Sequence, residues 1–161
     1  MKPNFTFKEI NKIHQPEILL NTILKNFSEV VPSEFAEKIG HTPKDILKIL
    51  KSDNFYGLFI IEVNTRKIIG YMIGEKQTIQ DGRYIYFINY LHVSKEYRSK
   101  GLGSYLLKLI YKKCNEWGVN FILLRYDSTN KKTHNFYYKN EFIADPILGK
   151  NERFKILCLY L

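Results

Sequence analysis

The stretch from Tyr84 to Trp117 constrains the fold more than any other part of the chain. It opens with YIYFINYLHV (84–93), which is apolar on both alternating faces. Tyr84, Tyr86, Ile88 and Tyr90 fall on one face; Ile85, Phe87, Leu91 and Val93 fall on the other. A strand with two apolar faces needs cover above and below, so it belongs at the centre of a sheet flanked by helices. Asn89 interrupts the second face and needs a polar partner there. His92 ends the first. After a short loop, Leu102, Tyr105, Leu106, Leu109 and Ile110 recur at the spacing of one helical face. Lys108, Lys112 and Lys113 lie off that stripe, and Gly118 is a natural stop. VNFILLRY (119–126) then reads as a strand. The strand–helix–strand unit should cross over right-handed and pair in parallel.

The remaining segments build outward from this unit. FTFKEI (5–10) reads as a strand, residues 15–28 as an amphipathic helix, and SEFAEKIG (33–40) as a short helix stopped by Gly40. Thr42, Pro43 and Asp45 form a helix start, with Thr42 as the cap and Pro43 in the first position; that helix runs to about Lys51. FYGLFIIEV (55–63) and KIIGYMIGEKQ (67–77) read as a hairpin, and Gln80-Asp81-Gly82-Arg83 as the next turn. Asn130 to about Asn140 is a helix, and EFIAD (141–145) and RFKILCLYL (153–161) close the chain as strands. The expected fold is a mixed α/β domain over residues 1–161. Its sheet is mostly antiparallel, with one parallel crossover and helices on both faces.

Composition narrows the classes. The chain is 45% hydrophobic, enough for a core, which excludes intrinsic disorder. No apolar run is long enough for a membrane span, and the first residues lack a signal-peptide core, so a cytoplasmic protein is expected. Cys114 and Cys158 form no CxxC pair and read as structural thiols. The net charge of +9 is concentrated in residues 84–161, where 13 Lys/Arg face 6 Asp/Glu. Such a field attracts anions. Lys outnumbers Arg 20 to 5, which disfavours base-specific nucleic-acid recognition. No His, Cys or carboxylate cluster has metal-ligand spacing, and no Ser-His-Asp arrangement occurs.

Chemistry concentrates in the loop Arg98-Ser99-Lys100-Gly101-Leu102-Gly103-Ser104, between the central strand and the long helix. A helix N-terminus offers unpaired N–H groups and the positive end of the dipole. Gly101 and Gly103 leave the backbone open, Arg98 and Lys100 add charge, and Ser104 adds a hydroxyl. This suits a pyrophosphate. The loop is neither a P-loop nor a dinucleotide fingerprint, since Leu106 stands at the third glycine position.

Arg98-Ser99-Lys100-Gly101-Leu102-Gly103 resembles the [RQ]-x-x-G-x-[GA] signature of the GCN5-related N-acetyltransferases, the GNAT family. A second block, from Asn130 through Thr133, Phe136 and Tyr137 to Glu141 and Phe142, is similar to the family's N-x-x-A-x-x-[FL]-Y-x-x-x-G-F. The resemblance implies direct transfer of an acetyl group from acetyl-CoA to an amine. By that resemblance the backbone at Leu91, His92 and Val93 would bind the pantetheine arm where the two parallel strands splay. The amides from Arg98 to Ser104, with Ser99, Lys100, Gly101, Leu102 and Gly103 between them, would hold the pyrophosphate. Asn130 would bond the pantetheine, Phe136 would lie at the cofactor, and Tyr137 would protonate the leaving thiolate. Packing alone would make Tyr137 a core residue among Phe136, Tyr138 and Phe142; the motif makes it catalytic.

The sequence departs from the pattern at Thr133, where the family has Ala, and at Glu141, where it has Gly. No side-chain base stands out. Asn89 is assigned to a water that relays the amine's proton, with Glu75 and Asp127 as the carboxylate alternatives. His92 has the wrong parity for catalysis, and His14, His41 and His134 show no site pattern. The family's acceptor pocket would be walled by residues 24–40 and 145–152. Glu29, Glu34 and Glu37 could draw in an ammonium there, and Asp145 to Lys150 would form a mobile rim. Expected partners are acetyl-CoA and an amine, with no membrane; a homodimer stays open. Two rivals remain: a catalytically silent acyl-CoA-binding module of this fold and a basic nucleic-acid-binding domain.

Overall fold

The computed structural model describes residues 4–10, 16–27, 42–149 and 153–161. In chain order these form β1 (Phe5–Glu9), α1 (Pro16–Phe27), α2 (Pro43–Leu50), β2 (Phe55–Glu62), β3 (Ile68–Thr78), β4 (Tyr84–Val93), α3 (Leu102–Trp117), β5 (Phe121–Asp127), α4 (Lys131–Lys139), β6 (Ile143–Ala144) and β7 (Phe154–Tyr160). The strands make one sheet in the order β1-β2-β3-β4-β5-β7-β6. Every neighbouring pair is antiparallel except β4 and β5, which run parallel as the crossover requires. The short helix expected at 33–40 lies outside the described residues.

The elements form where their sequences favour them. Thr42 caps α2 through a reciprocal box: its hydroxyl accepts from the Asp45 N–H, and the Asp45 carboxylate accepts from the Thr42 N–H. Helix α3 ends where Gly118 turns left-handed at φ +75. Its buried stripe is Leu102, Leu106, Leu107, Ile110 and Cys114, while Tyr105 and Leu109 sit half-buried at its border.

Helices cover both faces. Helix α3 and Tyr137 of α4 pack with Leu58, Ile60, Met72, Tyr86 and Ile88 on one side. Helices α1 and α2 pack with Phe59, Tyr71, Ile73 and Tyr90 on the other. Tyr86 and Tyr90 thus lie on opposite faces, although they share a parity in the sequence. The cause is a bulge. Tyr90 pairs with Ile73 and Ile88 with Gly74, so Asn89 is an extra residue with no partner across the ladder. Beyond it every side chain of β4 changes face: Leu91 and Val93 join the α3 side, and Tyr90 and His92 the α1–α2 side. The strand is covered on both faces as its composition requires, but beyond position 88 the faces are the reverse of those that simple alternation predicts.

Gly74 makes the bulge possible. A Cβ there would run into the Phe87 carbonyl and come within 2.7 Å of the Tyr86 ring. A glycine inside a strand is a signal for a bulge or a close backbone approach.

The described part of the loop after β6, residues 145–149, is anchored, against the expectation of a mobile rim there; Lys150 lies outside the described residues. The buried Asp145 receives both guanidinium nitrogens of Arg83, at 2.6 and 3.0 Å, and the N–H groups of Ile147 and Leu148. Gly149 lies so close to β7 that a Cβ would approach the Ile156 nitrogen to 2.7 Å.

Candidate active site

Strands β4 and β5 pair only from Ile85↔Phe121 to Ile88↔Leu124. Past that point each strand continues without the other, and a gap opens in the middle of the sheet. The Ser94 N–H bonds the Ile69 carbonyl, toward β3. Backbone groups alternate edges along a strand, so His92 also faces β3, while Leu91 and Val93 turn their N–H and C=O groups to the gap. The Val93 carbonyl already accepts from Arg98 Nε at 2.7 Å. His92 thus stands apart from its neighbours: its backbone faces β3, and its ring packs near Tyr71 on the opposite face.

The gap leads to the start of α3. Ser99 and Gly101 both have positive φ, +63 and +79, so the loop coils with its N–H groups turned into a concavity. The amides from Ser99 to Ser104 donate to no acceptor among the described residues. Arg98, Ser99, Lys100 and Gly101 are exposed around them. A Cβ on Gly101 would meet nothing, so that glycine serves the turn. Gly103 has a different reason. Its missing Cβ would lie 3.0 Å from the Phe136 ring and 3.9 Å from Leu91. Gly103 therefore lets α4 seat Phe136 against α3 beside the gap.

Helix α4 supplies the opposite wall. Asn130 caps it, its side-chain oxygen accepting from the Thr133 N–H at 3.2 Å. Tyr137 is buried, in contact with Phe136, Tyr126 and Phe142. Its hydroxyl makes no hydrogen bond among the described residues. Burial pushes this phenol well above its ordinary range. The helix ends in a Schellman turn, with Phe142 N–H on the Tyr137 carbonyl and Glu141 N–H on that of Tyr138. Glu141 holds the left-handed position of that turn at φ +71, which explains why a glycine is usual there.

On the α1–α2 side of β4 lies a cavity of about 490 Å³, lined by Asp45, Lys48, Ile49, Lys51, Ser52, Glu75 and Asn89. Asn89 Oδ1 is buried with no hydrogen-bond partner in it. The bulge brings Asn89 and Glu75 to the same cavity. Asp127 is removed from the candidate bases: Arg153 grips it at 2.9 and 3.1 Å, Thr129 donates to it, and its carboxyl is held well below the usual range. His134 is taken up by Tyr126, whose hydroxyl lies 2.6 Å from Nδ1, and by stacking on Tyr138. Glu29, Glu34, Glu37, His14 and His41 lie outside the described residues.

A splayed parallel pair, a coiled amide-rich loop and a buried tyrosine on the facing helix can be compared with known proteins. The profile of the acetyltransferase (GNAT) family matches residues 20–142. The chain belongs to the GNAT acetyltransferase family. Solved structures share the fold of this GNAT chain over nearly its whole length. The PaiA N-acetyltransferase from Thermoplasma acidophilum, in complex with coenzyme A, has a TM-score of 0.67 at 16% identity, covering 98% of this chain and 99% of its own. A GNAT-family acetyltransferase from Streptococcus pneumoniae gives 0.67 at 17% identity, with coverages of 98% and 99%. An aminoglycoside acetyltransferase from an uncultured soil metagenomic sample, in complex with sisomicin, gives 0.67 at 15%, with coverages of 92% and 95%. No curated protein matches the sequence. No helix among the described residues of this GNAT chain is long and apolar enough to cross a membrane.

Proposed function

We propose that the protein is an N-acetyltransferase that uses acetyl-CoA as donor and passes the acetyl group directly to an amine. One observation carries the reading: the β4–β5 gap runs from the unpaired amides at the start of α3 to the wall that contains Tyr137. The backbone of Leu91 and Val93 suits an amide-bearing pantetheine chain in the gap. The amides from Ser99 to Ser104, with Arg98 and Lys100 beside them, suit its pyrophosphate. Asn130 keeps its amide nitrogen for the pantetheine while its oxygen caps α4.

Bound acetyl-CoA supplies an activated acyl thioester. The amine nitrogen attacks its carbonyl carbon, the carbon–sulfur bond breaks, and Tyr137 gives its proton to the departing sulfur. A phenol at about 10 is a weaker acid than a free thiol at about 8.5, so in water that transfer would run uphill. Burial holds Tyr137 protonated through neutral pH and makes it a weaker acid still, so the favourable conversion of thioester to amide must drive the transfer, and the tyrosinate then regains a proton from solvent. Asn89 would hold the water that removes the amine's proton, a role supported by its buried, unpartnered Oδ1.

Tyr137→Phe tests the assignment. Turnover should fall about 10²–10⁴-fold, while the melting temperature changes little because the hydroxyl has no hydrogen bond to lose. Turnover near the wild-type rate would reduce Tyr137 to a core residue.

A further inference from the structure

Among the cavities, charge clusters and exposed apolar faces of the described residues, the cavity beneath the bulge carries the argument furthest. Its floor offers two oxygen acceptors. Asn89 Oδ1 is buried with no donor, and the Glu75 carboxylate is engaged in no ion pair or hydrogen bond among the described residues. Two oxygen acceptors without donors in a shared pocket, one of them a carboxylate, suit a donor-rich cation, which is what an ammonium group is. The rim has the opposite sign. Lys48 and Lys51 stand on one side of α2 and are exposed. Lys51 meets Glu17 only at 3.6 Å, with both side chains more than half exposed, a pairing of little strength. The other carboxylate of the lining, Asp45, is occupied by the cap of α2. The cavity is therefore dipolar, with an acceptor floor and a cationic mouth.

We infer that the acceptor is a small primary amine that also carries an anionic group, a carboxylate or a phosphate. The ammonium would sit on Asn89 and Glu75, directly or through one water, and the anion would face Lys48 and Lys51. This deepens the transferase reading and rests on it for turnover, though not for binding. The cavity volume is that of a small-molecule site. A polycation such as sisomicin would bring several charges to a mouth that already holds two lysines, on a chain of net charge +9.

Matched amines test the inference. γ-Aminobutyrate is compared with butylamine, and phosphoethanolamine with ethanolamine, with spermidine and sisomicin as polycations. CoA release gives kcat/KM, and calorimetry gives binding. The anionic member of at least one pair should exceed its neutral counterpart by about tenfold, the product of two exposed charge pairings. The carboxylate and phosphate pairs show which anion is preferred. In the double variant K48Q/K51Q that ratio should collapse toward one. Selective binding of the anionic amine without CoA release would uphold the cavity's specificity and overturn the transferase reading. Equal or better binding of butylamine, ethanolamine or the polycations, or binding of none of these probes, would overturn the inference.

Discussion

Single residues hold the bulge, the proposed proton donor and one strained turn. The turn gives the simplest stability test. Glu141 sits at φ +71 in the Schellman turn that ends α4, where a side chain costs about 1–2 kcal/mol and glycine is free of that strain. Part of the gain is returned as extra freedom in the unfolded chain. Glu141→Gly should stabilise by about 0.5–1 kcal/mol net, raising the melting temperature by about 1–4 °C at this chain length; an unchanged or lower value would show that the Glu141 side chain has a compensating role. The two carboxylate alternatives to a water base separate by their pH profiles. Asp127 is locked as an anion by Arg153, so Asp127→Asn should leave the shape of the profile unchanged. With water as the base, activity should climb about tenfold per pH unit toward the amine's own pKa. Glu75→Gln should weaken the amine's apparent affinity while that alkaline climb persists. An inflection near neutrality that vanishes in Glu75→Gln would make Glu75 the base.

At the scale of elements, the loop before α3 is the part that can be tested by charge. Lys100 is exposed beside the unpaired amides and 5.9 Å above the Tyr97 ring. Lys100→Glu should weaken CoA binding about tenfold at low salt, because a carboxylate that repels the pyrophosphate replaces an exposed ammonium that attracts it, and less at high salt. CoA affinity that is indifferent to both the substitution and salt would remove the pyrophosphate from this loop. A glutamate at Gly103 would be a poor probe, since its Cβ would also press on the Phe136 ring. The same elements show what is legible in the sequence. Helix α3, the cap of α2 and the parallel crossover follow from periodicity, capping chemistry and handedness, which act locally. The bulge does not. One inserted residue leaves the composition of β4 unchanged and reverses every face beyond it, so alternation puts Tyr90 and Leu91 on the wrong sides. Only Gly74, one strand away, hints at it. The packing of Gly103 is hidden for the same reason: it is set by Phe136, more than thirty positions along the chain. Asp145 reads as loop surface because its partner Arg83 lies on a different turn. The loop from Arg98 to Ser104 is recognisable because its chemistry is contained in consecutive residues.

For the whole molecule, the two ends of the pH scale act through different groups. Burial alone would raise the Asp145 carboxyl, but Arg83 and the Leu148 and Ile147 amides outweigh it and hold the carboxyl below its ordinary value. Asp127 is lowered too. A depressed carboxyl contributes stability above its unfolded value of about 4 and loses it as pH falls through the folded value. The melting temperature should therefore be flat through neutrality and drop below about pH 4. Arg83→Leu should cost about 3–5 kcal/mol, because it strands the buried Asp145 charge, and should flatten the acid dependence; a loss under about 1 kcal/mol would mean that Asp145 finds other partners. Buried Tyr137 and Tyr86 have raised values, so their contribution holds below about pH 10 and fades above it. That sets a ceiling on the alkaline range in which turnover can be followed. The four-rung ladder between β4 and β5 has a mechanical consequence as well. Among the described residues it is the seam that joins the β1–β4 leaf of the sheet to the β5–β7–β6 leaf, and it is fastened at one end. A load that spread the leaves would concentrate on the pair Ile88–Leu124, as on the last stitch of a half-sewn spine. A guest lying along Leu91 and Val93 would add stitches beyond it, so the binding of the donor and the stiffness of the whole sheet become one property.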